Sequence, residues 1–377
     1  MKSILVFLIL VVILFTYCPV GVYADTLELD AASAILIEAE TGRVLYEENA
    51  DEQRHPASVT KIMTLLLVFE SIELGKISLS DKVSVSENAA RMGGSQIYLE
   101  PGEEMTVEDL IKAVTVCSAN DAAVALAEYV AGSEEKFVSM MNDKAAELSM
   151  KGTNFENTNG LDDTTDTHLT TARDIAIMSS ELLSHKGILK YTTIWQDTVR
   201  NGEFTLTNTN KLIRFYSGAN GLKTGYTSKS GYCISASAMR DGMQLIAVIM
   251  GAKTSNSRNI SVKKLLDFGF ANYAYREYPA SSAVRIRVVG GISDFCTAGY
   301  NTYKVVTDKE LAKDIKEELS VCEFVKAPIK KGDVVGKITY TLNGEILSEE
   351  NVYALEEVKR MNFNRLFCEF LKKYFLF

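Results

Sequence analysis

Pro56-Ala57-Ser58-Val59-Thr60-Lys61 runs straight into the apolar stretch Ile62-Met63-Thr64-Leu65-Leu66-Leu67-Val68-Phe69. The stretch has helical character, and Pro56 stands just upstream, where a fixed φ is tolerated at a helix start. Ser58 and Lys61, at i and i+3, then share one helical face, so the lysine amine can take the serine proton and activate the hydroxyl as a nucleophile. A free lysine is a poor base at neutral pH. Burial against the apolar flank, or a second nearby cation, would depress its pKa and make it competent. Alone the pattern is weak, because a serine capping a solvated helix turn gives the same residues.

Two further elements carry polar groups of the right kind. Ser118-Ala119-Asn120 falls between an amphipathic helix over 105–114, with Thr106 as its cap, and an alanine-rich helix over 122–130. There a hydroxyl and an amide could reach into a cleft from one side, although helix capping assisted by Asp121 would also account for them. Gly221-Leu222-Lys223-Thr224-Gly225-Tyr226-Thr227 opens a β region whose strands over 232–238 and 243–250 are joined by Asp241-Gly242, a strong hairpin signal. Lys223 and Thr224 on a strand edge would form a cationic rim for a carboxylate, with Gly225 allowing a ligand backbone to approach. The alternative is an exposed strand with ordinary polar residues.

The elements that must position these groups follow from local patterns. Segments 34–38 and 43–47 flank Ala39-Glu40-Thr41-Gly42 as strand, turn and strand, and this hairpin delivers the chain to Ser58. A short strand is expected over 81–85, a polar loop over 152–168, and a helix capped near Thr171. His168, just before that cap, reads as a local structural contact. Beyond Pro279 short alternating segments at 284–289, 303–306 and 334–340 predict a small all-β domain. The last stretch places Phe363, Leu366, Phe367, Phe370, Leu371, Tyr374 and Phe375 on one stripe, with Arg365, Lys372 and Lys373 outside it. An amphipathic helix of this kind suits a membrane interface and is too short to span; docking on the β domain is the other reading.

Composition sets outer bounds. Met1-Lys2, a short apolar run and Val22-Tyr23-Ala24 read as an export signal over 1–24, which implies a protein acting outside the cytoplasm. The formal net charge of −9 argues against nucleic acid as a partner. Cys117, Cys233, Cys296, Cys322 and Cys368 match no metal motif and are odd in number, although a Cys296–Cys322 pair is conceivable. Cys117 reads as a small buried hydrophobe. With histidine only at 55, 168 and 185, there is little support for a zinc enzyme, and no metal or cofactor is expected.

Ser-x-x-Lys, Ser-x-Asn and Lys-Thr-Gly, in this order and about 55 and 100 residues apart, form the signature of penicillin-recognising active-site serine enzymes. The surroundings of each motif, together with Asn159-Gly160-Leu161-Asp162, resemble the low-molecular-weight penicillin-binding proteins that are serine D-alanyl-D-alanine carboxypeptidases. The likeness is dense over 29–270 and looser over 279–358. It implies an α/β, β-lactamase/transpeptidase-like catalytic domain over 25–278, an antiparallel sheet flanked by helices. An all-β domain over 279–360 and the amphipathic helix over 361–377 follow. It also implies a reaction, removal of the terminal D-Ala from a peptidoglycan stem peptide ending in D-Ala-D-Ala, and β-lactams as covalent inhibitors.

In that resemblance Ser58 is the nucleophile and Lys61 its base, Ser118 and Asn120 enclose the amine, and Lys223 is the second cation. The backbone N–H groups of Ser58 and Tyr226 form the oxyanion hole. Lys223, Thr224, Gly225 and Arg258 hold the substrate end, its carboxylate above all. The chain departs from some relatives at Asn208-Thr209-Asn210, where they place an arginine. Nor does Asn154-Phe155-Glu156-Asn157 look like the deacylating glutamate site of class A β-lactamases, so slow release of a bound β-lactam is expected. A D,D-endopeptidase, a β-lactamase and a non-catalytic wall-binding or β-lactam-sensing module are the competing readings.

Overall fold

Every residue of the first strand, β1 (Ser33–Glu38), is buried, because the strand lies inside a sheet covered on both faces. The computed structural model describes residues 27–162 and 165–375, apart from the side chains at 366, 369 and 372–375. The expected export segment therefore lies outside the described residues.

After β1 come β2 (Val44–Glu48), α1 (Lys61–Glu73), the paired short strands β3 (Lys82–Ser84) and β4 (Glu104–Thr106), α2 (Val107–Lys112), α3 (Asn120–Ala131), α4 (Glu134–Glu147) and α5 (Ala172–Ser184). The hairpin β5 (Gln196–Val199) and β6 (Phe204–Thr207) precedes β7 (Ala219–Thr227), β8 (Gly231–Arg240), β9 (Met243–Ala252) and α6 (Ser255–Asn272). Strands β2-β1-β9-β8-β7 form one antiparallel sheet in that order, with β7 at an edge.

Strand alternation sorts the apolar side chains to two cores. Ile35, Ile37, Ile246, Val248 and Met250 face α1, α3 and α5, whereas Ala34, Leu36, Leu245, Ala247 and Ile249 face α6. Helix α1 is apolar on all sides, which places it in the middle of the helical layer, and its run from Ile62 to Phe69 is buried throughout. Each of its large side chains contributes about 1.5–3 kcal/mol of burial. The lysine that begins this helix is carried into the interior with it.

The expected local signals are present in the turns. Asp241 and Gly242 adopt φ values of 49° and 79°, the left-handed pair that joins β8 to β9. Thr106 caps α2 by accepting from the Asp109 amide, but the helix does not end regularly. It passes into a π-helical turn at Ala113–Cys117 that closes on Ser118 in the left-handed conformation.

The C-terminal part is β-rich. β10 (Tyr273–Tyr278) leads to β11 (Ser281–Val289), β12 (Phe295–Tyr300), β13 (Tyr303–Asp308), β14 (Lys316–Val321), β15 (Phe324–Lys326), β16 (Val334–Leu342) and β17 (Glu345–Ala354). Six of them form a sheet in the order β14-β16-β17-β12-β11-β15 over a small core that includes Ile286, Val288, Val335 and Val352. The conceivable Cys296–Cys322 pair is not formed, and both thiols are free. Cys296 is buried on β12, while Cys322 follows the exposed edge strand β14, with β16 and β17 between them. Three strand spacings of about 4.8 Å exceed what a disulfide can bridge. A helix, α7 (Phe363–Phe375), ends the described chain, and Phe363, Phe367 and Phe370 on it are exposed.

Candidate active site

The first turn of the site is tight. Ala57–Thr60 is a 3-10 turn entered through Ala57 at a positive φ of 49°, and it feeds directly into α1. Ser58 Oγ comes to 2.9 Å from Lys61 Nζ. Lys61 is fully buried, and its Nζ also donates to Asn120 Oδ1 and to the Asn159 carbonyl oxygen, each at 2.6 Å. A neutral amine has two N–H donors and one lone pair. The two oxygen acceptors take the donors, so the lone pair is left for the serine proton.

Burial is the main reason the Lys61 amine is held well below its ordinary pKa, and repulsion from Lys223 adds to it. The expectation of a second cation is met, but that cation is the smaller cause. Lys223 is itself buried and brought down to about 7, first by burial and then also by the charge of Arg258. Two ammonium groups in so dry a pocket are mutually unfavourable, and the repulsion bears on Lys61, whose charged form is disfavoured by both burial and Lys223.

Asn120 is oriented by its other end, since Nδ2 donates to the Gly93 carbonyl at 2.6 Å. The capping alternative fails at both polar positions. Ala119 is the N-cap of α3 and no side chain caps it, while Ser118 stands outside the helix at φ 69°. The Ser118 hydroxyl is buried and has no hydrogen-bond partner among the described residues. Asp121, expected to assist that capping, accepts from the amides of Ile97, Leu99 and Ala122 and so anchors the loop that carries Ile97 and Leu99.

Edge strand β7 forms the opposite wall. A Cβ on Gly225 would stand 3.0 Å from the Ser58 amide nitrogen, the Pro56 carbonyl oxygen and the Ala57 Cβ, so only glycine lets the strand lie this close to the Ser58 turn. Lys223 Nζ donates to the Thr224 carbonyl at 2.9 Å, and the Thr224 hydroxyl donates to Thr209 Oγ1 at 2.8 Å. Thr209 belongs to the Asn208-Thr209-Asn210 stretch that lacks the arginine the resemblance leads one to expect. The Tyr226 ring is exposed and stacks on Tyr232 with centroids 4.3 Å apart. Arg258 is buried at the start of α6, with its nearest main-chain bond a 3.4 Å contact to the Cys233 carbonyl. Cys233 is the register partner of Gly225, which puts the guanidinium behind β7, without a hydrogen bond to Lys223 or Thr224.

Sequence reasoning missed the role of the 154–170 loop. The Asn159 carbonyl is aimed at Lys61 by a set of side-chain turns: Asn157 Oδ1 accepts from the Gly160 amide at 2.7 Å, and Asn159 Oδ1 from the Leu161 amide at 2.9 Å. Closely spaced asparagines before a glycine were the available signal. His168 does more than make a local contact. Its Nδ1 accepts from the Glu156 amide at 3.0 Å, so Nε2 carries the hydrogen and donates to Thr60 Oγ1 at 2.8 Å. Glu156 is exposed and accepts from the Thr167 hydroxyl. Cys117 is half-buried, with its thiol pushed up to about 11 by burial, in keeping with an inert side chain.

A serine, a neutral lysine one turn away and a cationic strand edge on an α/β sheet define an active-site serine hydrolase. A family model described as D-alanyl-D-alanine carboxypeptidase matches residues 21–254, and one described as the C-terminal domain of penicillin-binding protein 5 matches 296–360. The chain belongs to the D-alanyl-D-alanine carboxypeptidase family. It is 44% identical to D-alanyl-D-alanine carboxypeptidase DacF of Bacillus subtilis over 96% of each chain, and 36% identical to DacC of Escherichia coli over 93% of this chain and 90% of that one. Penicillin-binding protein 5 from Haemophilus influenzae shares the fold with a TM-score of 0.77 at 31% identity, over 88% of this chain and 98% of that one. Penicillin-binding protein D2 from Listeria monocytogenes, solved in its ampicillin-bound form, matches 64% of this chain and 98% of its own at a TM-score of 0.59 and 33% identity.

Proposed function

We propose that this enzyme removes the terminal D-Ala from peptidoglycan stem peptides through an acyl-enzyme on Ser58. Neutral Lys61 takes the Ser58 proton as Oγ attacks the carbonyl carbon of the penultimate D-Ala. The negative charge that develops on the carbonyl oxygen is met by the backbone N–H groups of Ser58 and Tyr226, each such donor being worth about 2.7–4 kcal/mol of barrier. The proton then passes to the leaving amine, with the unpartnered Ser118 hydroxyl placed to relay it, and free D-Ala departs. Water, activated by the same amine, returns Ser58 and releases the shortened peptide.

The substrate carboxylate docks against Lys223 and Thr224, with Arg258 adding positive potential from behind the strand. Its negative charge favours the protonated form of Lys223, so binding itself sharpens the division of roles between the two lysines. A β-lactam enters by the same attack. Its ring opens without a departing amine, and with no dedicated glutamate aimed at the ester the adduct persists.

The observation that carries this reading is Lys61 Nζ, buried, 2.9 Å from Ser58 Oγ and supplied with two other acceptors. Intact-mass spectrometry after incubation with penicillin tests it: wild type gains one adduct and Ser58→Ala none. An unmodified wild type overturns the proposal. Release of D-Ala from a pentapeptide ending in D-Ala-D-Ala separates carboxypeptidase from β-lactamase and from a merely sensing module.

The export signal over 1–24 supports action outside the cytoplasm, and the exposed phenylalanines of α7 support a lie at the membrane surface. Among the described residues no helix is long and apolar enough to cross a membrane. Flotation with anionic vesicles, comparing the full chain with one ending at 360, tests that attachment.

A further inference from the structure

Helices α1, α4 and α5 bring together side chains that the reaction above does not use. One ring nitrogen of His185 and one carboxylate oxygen from each of Glu70 and Glu181 lie within 4.8 Å of one another. Glu70 is nine residues past Lys61 on α1, about 13 Å along the axis and towards the end away from Ser58. Glu181 stands on the last turn of α5 and His185 is the residue that ends that helix, just past Ser184.

The histidine is the informative member. Its Nδ1 lies 2.9 Å from Glu73 Oε2, and with a hydrogen on Nδ1 the neutral ring carries its lone pair on Nε2. His185 is 9% exposed, and Nε2 is buried with no hydrogen-bond partner among the described residues. A histidine oriented by a carboxylate on one nitrogen, with the other left for a ligand, is the usual arrangement of a metal-binding imidazole. The carboxylate of Glu181 has no cation paired with it among the described residues, although Glu70 is beside it. Lys144 does reach Glu70 Oε1 at 2.8 Å, but it is also 2.8 Å from Glu147. Glu70 therefore keeps its second oxygen, and Lys144 keeps a partner if it is displaced.

We propose that Glu70, Glu181 and His185, with Glu73 holding the imidazole, form a binding site for a divalent transition-metal ion of the zinc type. One nitrogen and two oxygen ligands, with water in a fourth position, suit that ion's tetrahedral preference. Of these residues Glu181 also lines a cleft of about 410 Å³ between the β1–β2 hairpin and α5. The ion would clamp α1 to α5 and take no part in acyl transfer.

Tag-free protein with its exposed thiols at Cys322 and Cys368 alkylated, and stripped by chelator, is titrated with zinc chloride by calorimetry and followed by thermal unfolding. One saturable site per chain is expected, with a melting temperature that climbs as free zinc rises. Glu181→Gln and His185→Ala should each bind at least about tenfold more weakly, and Glu73→Gln about 10- to 100-fold, as for loss of an orienting partner. Labelling by a fluorescent penicillin should be unchanged in all three, which shows that they are folded. Wild type without saturable binding, or variants that bind as wild type does, overturns the proposal. X-ray absorption of the zinc-loaded wild type gives a check independent of the variants: nitrogen and oxygen ligands support the site, and sulfur ligation refutes it.

Discussion

Lys61 Nζ and the Asn159 carbonyl oxygen are 2.6 Å apart, and this bond joins two residues 98 positions apart in the chain. It couples the start of α1 to a loop with little regular structure. The chemistry of Lys61 therefore depends on how that loop is held, and the predictions below follow from it.

Acylation should speed up as pH rises through a value well below that of free lysine, because the neutral form of Lys61 is the base and burial disfavours its charged form. In Lys223→Gln, one source of repulsion is gone. The rising limb, measured as acylation rate at saturating β-lactam, should then move to higher pH while staying below the free-lysine range, since burial remains. A limb at the free-lysine value in wild type would contradict the assignment of the base.

Gly160→Ala should damage the site without touching a polar group. Gly160 has φ 87°, and an added Cβ would fall 1.8 Å from the Ala57 carbonyl oxygen and 2.9 Å from Thr60 Oγ1. The loop or the Ser58 turn must move. A displacement of about 1 Å there is expected to slow acylation about 100-fold, and stopped-flow β-lactam acylation measures it.

His168 links stability to pH. Its pKa is lowered from 6.5 to about 4, chiefly by burial, with smaller contributions from His55 and Lys61 against an opposing one from Asp162. Between those values the unfolded chain binds the proton and the folded one does not, so stability falls as pH drops from 6.5 towards 4. The full change is about 3 kcal/mol. Urea unfolding at a series of pH values should show this slope. It should be absent in His168→Gln, whose amide can still accept from Glu156 and donate to Thr60.

Arg258 is expected to act through the substrate carboxylate rather than on the Ser–Lys pair. Wild type should prefer a peptide with a free C-terminal carboxylate over its amide. Arg258→Gln should lose much of that preference through KM, leaving kcat within a few-fold. An unchanged preference would return Arg258 to a purely structural role beneath Cys233.

Much of the molecule was legible in residue order. Ser-x-x-Lys at the head of an apolar run sets an i, i+3 pair, with Ser58 on a 3-10 turn and Lys61 opening the buried helix that follows, because the helical period and the hydrophobic effect act on neighbours in sequence. The β8–β9 hairpin was readable for the same reason: Asp241-Gly242 tolerates the left-handed turn that few other pairs do. The alternating segments at 284–289 and 334–340 likewise mark two strands of the six-stranded sheet, while 303–306 marks β13, which pairs with β10 instead; the disulfide failed because cysteine spacing carries no information about which strands intervene.

What the chain alone determined was the inventory of reactive groups and the elements that bear them. Only the tertiary structure decided which of them meet. The approach of β7 to Ser58 across Gly225, the main-chain oxygen of Asn159 on Lys61, the use of Asp121 as a loop anchor and the Glu73–His185 pair all join segments distant in sequence. Backbone carbonyls carry no side-chain signature, and the dryness that lowers the Lys61 pKa is a property of the whole packed interior, which no local pattern encodes.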